Sequence, residues 1–354
     1  MKILAYYLPQ FHEIPENNEW WGKGFTEWTN VKKAKPLFNN HNQPRVPLNK
    51  NYYNLLDSTV MEKQSKIAKE YGIDGFCFYH YWFDGKLLLE KPLINLLKNK
   101  NIDLDFCLCW ANEPWARTWD GKNKDILIEQ KYGNKADWKK HFDYLVSYFN
   151  DPRYIKVNGK PMLVLYKTKD IPDLEQMLLY WNELASQHGF YNGIHIVETM
   201  GGKQAKPLSK LSSAVVEFEP SISLGLENNR YYWLLNKIKM LFNRGLYRIN
   251  YPQISNISIS RNIDYGKERY VGCFPGWDNT PRKNNKGVVF ENNTPENFYS
   301  YLLKQLEKSG KDSFIFINAW NEWAEGAYLE PDEYNKYSLL ESVKKAKETF
   351  LRKI

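Results

Sequence analysis

The chain has 354 residues, 43% hydrophobic and 25% charged, a balance that supports a sizeable folded core and excludes a disordered chain. The net charge is +8, but Lys and Arg are spread along the chain with no long basic block, so nucleic acid is not expected as a partner, whereas an anionic substrate or a nearby membrane surface is compatible. No run approaches 18 apolar residues, which excludes a membrane-spanning helix.

The first expected element is a strand at 3–8. One Lys precedes it, Pro9-Gln10 interrupts the apolar run, and no small-residue cleavage site follows. The segment therefore reads as a core strand and not a signal peptide, and the expected location is the cytoplasm. Further strands are expected at 75–81, 104–110, 162–166, 194–198, 214–218, 270–274 and 314–319. Several are near-continuous apolar runs, as in parallel strands covered on both faces. Helices are expected at 57–71, ended by Gly72, at 87–99, at 135–149, stopped by Asp151-Pro152, and at 172–188, ended by Gly189. A short crossover is expected near 204–210, followed by a basic amphipathic helix at 230–247 and helices at 295–309 and 337–352. The four cysteines, Cys77, Cys107, Cys109 and Cys273, fall in strand-like runs and read as buried free thiols.

Eight strands alternating with helices predict an α/β fold: a (β/α)8 TIM barrel, one domain over 1–354, with long βα-loop insertions at 9–56, at 111–133 and after strands six and seven. No G-x-G-x-x-G turn follows the first strand, which disfavours an open dinucleotide-binding sheet.

In such a barrel the site forms at the C-terminal ends of the strands. Strand one delivers His12, and its loop "WWGKGFTEW" brings Trp28. Strand two brings His80 and Tyr81. Strand three runs through Trp110 into "WANEPWARTWDG", with Asn112, Glu113 and Trp115. Strand four brings Tyr166, strand five Glu198, and strand six Glu217 and Glu219. Strand seven leads into "PGWDNTPR", with Trp277 and Asp278, and strand eight into Trp320, Asn321, Glu322, Trp323 and Glu325. Aromatics make up 16% of the chain, and here they sit among acids and amides. Aromatic faces stack on sugar rings, amides and acids bind hydroxyls, and two acids can supply the proton transfers of glycosidic cleavage. A structural reading stands beside each of these. His80 could be a packed histidine, Asp278 a turn former, Glu113 a solvated acid after a strand. The six histidines do not cluster with acids at ligand spacing, so no metal and no cofactor is expected.

The segments "AYYLPQFHEIPENNEWWGKGFTEWTNV", "WANEPWARTWDG", "PGWDNTPR" and "NAWNEWAEGAYLEPD" resemble the WbsX-type family of polysaccharide-biosynthesis proteins, a glycoside hydrolase family 99-like group. The resemblance runs from residue 5 to about 350 and implies a (β/α)8 barrel. Family 99 hydrolases are retaining endo-α-mannosidases with an Asn-Glu-Trp-x-Glu-Gly motif, matched here by Asn321 to Gly326. The resemblance implies that Glu322 takes the proton of the sugar 2-hydroxyl, giving a 1,2-anhydro intermediate, and that Glu325 protonates the leaving oxygen and then activates water or an alcohol. The hydrolases usually carry His where this chain has Ala324. A rival couple is Glu113 with Glu322, since Asn112-Glu113-Pro114 resembles the Asn-Glu-Pro acid/base motif of other barrel glycosidases. Its place after strand three instead of four counts against it.

The expected substrate is an oligosaccharide or a lipid-linked glycan, with hydrolysis and transfer both open. No Asp-x-Asp pattern supports a metal-bound nucleotide-sugar donor. The segment 230–248 suggests peripheral contact with an anionic membrane, against the plainer reading of a barrel helix with a basic outer face. A non-catalytic glycan-binding barrel is the alternative of a different class.

Overall fold

The computed structural model describes residues 1–117, 125–202, 204–226 and 246–353. Eight parallel strands close on themselves: β1 (Lys2–Tyr7), β2 (Gly75–Phe83), β3 (Asp105–Trp110), β4 (Lys160–Leu165), β5 (His195–Met200), β6 (Ala214–Glu217), β7 (Glu268–Cys273) and β8 (Phe314–Ile317). Closure comes from β1, which pairs Ala5 with Ile317 of β8 on one side and with Phe76 of β2 on the other. The (β/α)8 architecture expected from the strand count is the one observed. The strands are buried on both faces, which explains their continuous apolar runs: all nine residues of β2 are buried.

The outer layer contains α1 (Ser58–Glu70), α2 (Lys91–Lys98), α3 (Lys135–Phe149), α4 (Leu174–Gln187), α5 (Tyr251–Ser260), α6 (Pro295–Ser309) and α7 (Ser338–Leu351). Their ends follow local chemistry. Asp57 caps α1 by accepting from Thr59 N, Asn134 and Asp137 form a capping box on α3, and Thr294 caps α6 ahead of Pro295.

One boundary is corrected, and two elements were not foreseen. The helix expected from 87 begins at Lys91, because Lys86–Leu88 instead pairs antiparallel with the end of β2. Helix α5 and the strand Tyr247–Asn250, which pairs with Val288–Glu291, were not expected. No helix occupies the described residues between β5 and β6. The Glu198 carboxylate holds that crossover, accepting from the backbone N–H groups of Leu208 and Ser209 and from Thr168 Oγ1. The basic helix expected at 230–247 lies, apart from its last two residues, outside the described residues.

Some of the barrel is packed to backbone contact. A Cβ at Gly272 of β7 would stand 1.9 Å from Glu217 O of β6, so only glycine fits there. All four cysteines are free and buried.

Candidate active site

Beyond β8 the chain folds into a small hairpin. Asn321–Glu322 pairs antiparallel with Ala327–Tyr328 around the single 3-10 turn Trp323–Glu325. Gly326 closes the turn at φ +62°, and a Cβ there would lie 2.8 Å from Asp278 Cβ. Three contacts pin the hairpin. Asn321 accepts from Leu8 N at 2.7 Å and donates to Leu8 O at 3.0 Å. Glu27 Oε1 accepts from Ala324 N at 3.2 Å, and Glu325 O accepts from Asp278 N at 2.6 Å. Asp278 is itself held by Gln43, His41 and Thr280, with Arg45 at 3.6 Å, and these partners keep its carboxyl down at about 2 despite burial.

This frame places Glu322 and Glu325 on one cleft of about 500 Å³. Its walls are Tyr79 and Tyr81 from β2, Trp115 and Tyr166 from the loops after β3 and β4, Phe218 after β6 and Trp277 after β7. The cleft shares Gln10, Glu113, Trp115, Arg282, Lys283 and Glu325 with an adjoining hollow of about 790 Å³.

Arg282 stands at the centre of the charges. Its Nη1 donates to Glu325 Oε1 at 2.6 Å, and its Nη2 donates to Glu27 Oε1 at 2.7 Å and lies 3.5 Å from Glu322 Oε2. Burial and the neighbouring Glu325 charge push the Glu322 carboxyl well above the ordinary range, only partly offset by Arg282. Burial also raises Glu325, against the opposing pull of Arg282. Glu113 is raised by burial as well, with Lys167 3.8 Å away.

Of the residues expected at the site, Tyr81, Glu113, Trp115, Tyr166, Trp277, Glu322 and Glu325 meet on this cleft. The others do not line it. Side chains alternate along β2, so Tyr79 and Tyr81 reach the cleft while His80 points into the helix layer. There its Nε2 lies 2.9 Å from His141 Nε2, and burial lowers its pKa to about 3. Trp110 packs on His141 and Trp181 of the same layer. His12 is fully buried and pushed down to about 4. Trp28 packs on Phe11 and Trp323 and donates its indole N–H to Tyr53 O. Asn112 ties the loop after β3 to the Lys167 backbone, and Asp278 and Asn321 are the hairpin supports already described. Glu217 and Glu219, expected at the rim, are buried against Arg261.

Trp320 and Trp323 line a separate hollow of about 730 Å³ together with Glu330. Glu330 accepts from Tyr53 OH at 2.8 Å, Gln64 Nε2 at 2.6 Å and Trp323 Nε1 at 2.6 Å. Burial outweighs these donors and pushes its carboxyl up to about 7 from an ordinary 4.5. Between those values the folded protein holds a proton that the unfolded chain has released, so stability falls as pH rises through the window, by about 3 kcal/mol in all. Denaturation midpoints measured across that window are expected to fall less steeply for Glu330→Gln than for wild type.

Glu27 and Arg282 were missed as individual site residues, although they lie inside "WWGKGFTEW" and "PGWDNTPR". No local spacing signals a contact between positions 255 residues apart. Among the described residues, no group of three or more His, Cys, Asp or Glu side chains is placed to hold a metal ion.

The model of a family described as "Glycosyltransferase WbsX" matches residues 3–343. The chain belongs to the WbsX glycosyltransferase family. Two curated proteins of Xanthomonas campestris pv. campestris, both named "Uncharacterized protein WxcX" and from strains B100 and ATCC 33913, are 37% identical over 350 residues, which is 97% of this chain and 49% of each relative. This WbsX-family chain therefore spans about half the length of the curated relatives it matches. Among solved structures, a "Glycoside hydrolase-like protein" aligns with a TM-score of 0.61 at 14% identity, covering 98% of this chain and 93% of its own. A GH99 endo-alpha-mannosidase from Bacteroides thetaiotaomicron aligns with a TM-score of 0.60 at 13% identity, covering 99% and 97%. At these identities the likeness shows that the WbsX-family chain shares their barrel fold.

Proposed function

We propose that this WbsX-family protein is a carbohydrate-active enzyme of polysaccharide metabolism that cleaves or transfers a glycosidic linkage, with Glu322 and Glu325 as its proton-transferring pair. The observation that carries this reading is two acids with raised pKa values facing one cleft whose walls are aromatic. The rings of Tyr81, Trp115, Tyr166 and Trp277 offer stacking faces for pyranose rings. Both acids stand on one short hairpin, an arrangement suited to attack by the substrate's own 2-hydroxyl with net retention, since a protein nucleophile needs carboxyls on opposite sides of the anomeric centre. The intermediate can be opened by water or by a sugar hydroxyl, and the family's description as glycosyltransferases favours the sugar.

The test is product analysis on a panel of α-linked glycans, with and without alcohol acceptors. Retained anomeric configuration, and a new glycoside when acceptor is present, are the expected products. Binding without turnover on every glycan, unchanged by Glu325→Gln, would favour a glycan-binding barrel instead.

A lipid-linked glycan as substrate, a cytoplasmic location and membrane contact through 230–248 belong to the same proposal. No helix among the described residues is long and apolar enough to cross a membrane. Co-sedimentation with anionic vesicles at low salt tests the membrane contact, and no binding there ends it.

A further inference from the structure

We propose that the hollow behind the hairpin of Glu322 and Glu325 is a second binding site, which takes a neutral sugar unit away from the cleft. The proposal goes beyond the catalytic reading and does not depend on it.

The hollow is set apart by its walls. Its volume of about 730 Å³ falls in the range of about 300–1,000 Å³ that small-ligand pockets occupy. It shares no lining residue with the cleft or with the hollow that adjoins the cleft. One side is segment 47–54 of the long loop after β1, and another is a face of α1. The floor is the back of the hairpin, where Trp320, Trp323 and Glu330 lie.

Charge on these walls balances. Lys50 and Lys63 stand against Asp57 and Glu330, so neither an anion nor a cation is selected. The exposed rim is neutral and polar instead, with the amides of Asn49, Asn51 and Asn54. Two half-buried rings, Tyr52 and Tyr337, supply flat faces. Both are braced by groups that do not line the hollow. Trp28 meets Tyr52 edge-on at 5.2 Å, and Lys32 Nζ lies 4.1 Å from its ring centre. Tyr71 stacks on Tyr337 at 5.7 Å. Rings held in this way stack on the apolar face of a sugar with little further ordering.

The floor has hydrogen-bonding capacity that the protein does not use. A carboxylate accepts at about four positions. Glu330 Oε2 takes Tyr53 OH and Trp323 Nε1, whereas, among the described residues, Oε1 takes Gln64 Nε2 alone. Trp320 Nε1 lies beside this carboxyl, is buried, and closes no hydrogen bond of ordinary geometry. An unused acceptor next to an unpaired donor is the pattern a hydroxyl group satisfies, because a hydroxyl both gives and accepts. A ligand hydroxyl placed there recovers what the unpaired N–H costs. Glu330 and Gln64 are 6% and 5% exposed, so both reach the surface of the hollow. A ligand that is neutral, rich in hydroxyls and flat on one face meets all three conditions, and a sugar ring is such a ligand.

The test follows the 15N resonance of the Trp323 indole in the full chain. Its signal is identified by displacement in Glu330→Gln, which alters the acceptor of that N–H. The probes are the neutral disaccharides maltose, cellobiose, lactose and trehalose, with glycerol as the acyclic polyol and glucosamine and glucuronic acid as the charged sugars. At least one disaccharide is expected to shift the signal saturably. It should do so equally in Trp277→Ala, because Trp277 lines the cleft and not the hollow. Tyr337→Ala is expected to raise the sugar concentration needed about tenfold, the worth of one stacked ring. Tyr337→Leu, which keeps bulk and removes the ring face, replaces it if the alanine variant does not fold. A hollow that holds only water gives no saturable shift with any disaccharide, and that result overturns the proposal. So does a shift that glycerol reproduces, one confined to a charged sugar, or one abolished by Trp277→Ala and untouched by the Tyr337 variants. Because the readout is binding, absence of turnover on every glycan would remove the catalytic reading and leave this site standing.

Discussion

Glu325→Gln is expected to lower the turnover of a cleaved or transferred glycan by about 100- to 10,000-fold, the range that a positioned acid or base contributes. Glu322→Gln should fall in the same range. Glutamine keeps the shape of each side chain and removes only its capacity to exchange a proton, so the loss should appear in kcat and leave KM nearly unchanged. The two losses should not add, because the acids act on one bond-making and bond-breaking event. The rival couple of Glu113 with Glu322 is decided by the same series. Glu113 lines the cleft with Lys167 3.8 Å away, whereas Arg282 bridges Glu322 to Glu325. Glu113→Gln is therefore expected to stay within about tenfold of wild type. A loss with Glu113→Gln as deep as that with Glu322→Gln, with Glu325→Gln active, would transfer the role to the rival.

Arg282→Met is expected to destabilise the fold by about 3–5 kcal/mol, the usual cost of removing one partner from a buried ion pair and leaving the other uncompensated. Here three carboxylates lose their shared cation: Glu27 at 2.7 Å, Glu325 at 2.6 Å and Glu322 at 3.5 Å. The effect depends on pH. Without the guanidinium the folded-state pKa values of Glu322 and Glu325 rise further above the ordinary 4.5. The folded variant then holds protons that the unfolded chain has released, so its deficit grows as pH rises above that value and shrinks in acid, where Glu322 and Glu325 are neutral. Urea denaturation of variant and wild type across that range measures it. A deficit independent of pH would mean that Arg282 contributes packing alone.

The arrangement also explains why a hairpin of a few residues can carry reactive acids after a strand. Trp320 and Trp323 do not wall the cleft; they are buried at the base of the hairpin, where Trp323 stacks on Tyr328 at 3.9 Å and bonds to Glu330. The indoles supply rigidity, and the walls come from β2 and the loops of other strands.

Much of the barrel was legible from local pattern. Parallel strands covered on both faces leave continuous apolar runs, and helix ends leave caps such as Asp57, Asn134 and Thr294, so six of the outer helices could be read in order. The crossover between β5 and β6 could not, because buried carboxylate bonds from Glu198 replace a helix there and produce no periodicity. At the site, composition pointed to the right loops but not to the right side chains. His80 and Tyr81 are neighbours in sequence and stand on opposite faces of β2, and strand alternation assigns faces only once the barrel interior is known.

What the amino-acid sequence determined by itself is the eight-strand order, the loops that converge at the strand ends and the spacing that keeps Glu322 and Glu325 on one hairpin. Only the tertiary structure decided which aromatics face the cleft and which cation governs the acids. Those choices rest on contacts such as Arg282 to Glu27, made across 255 residues of chain and driven by the cost of burying charge unpaired, which no local pattern encodes.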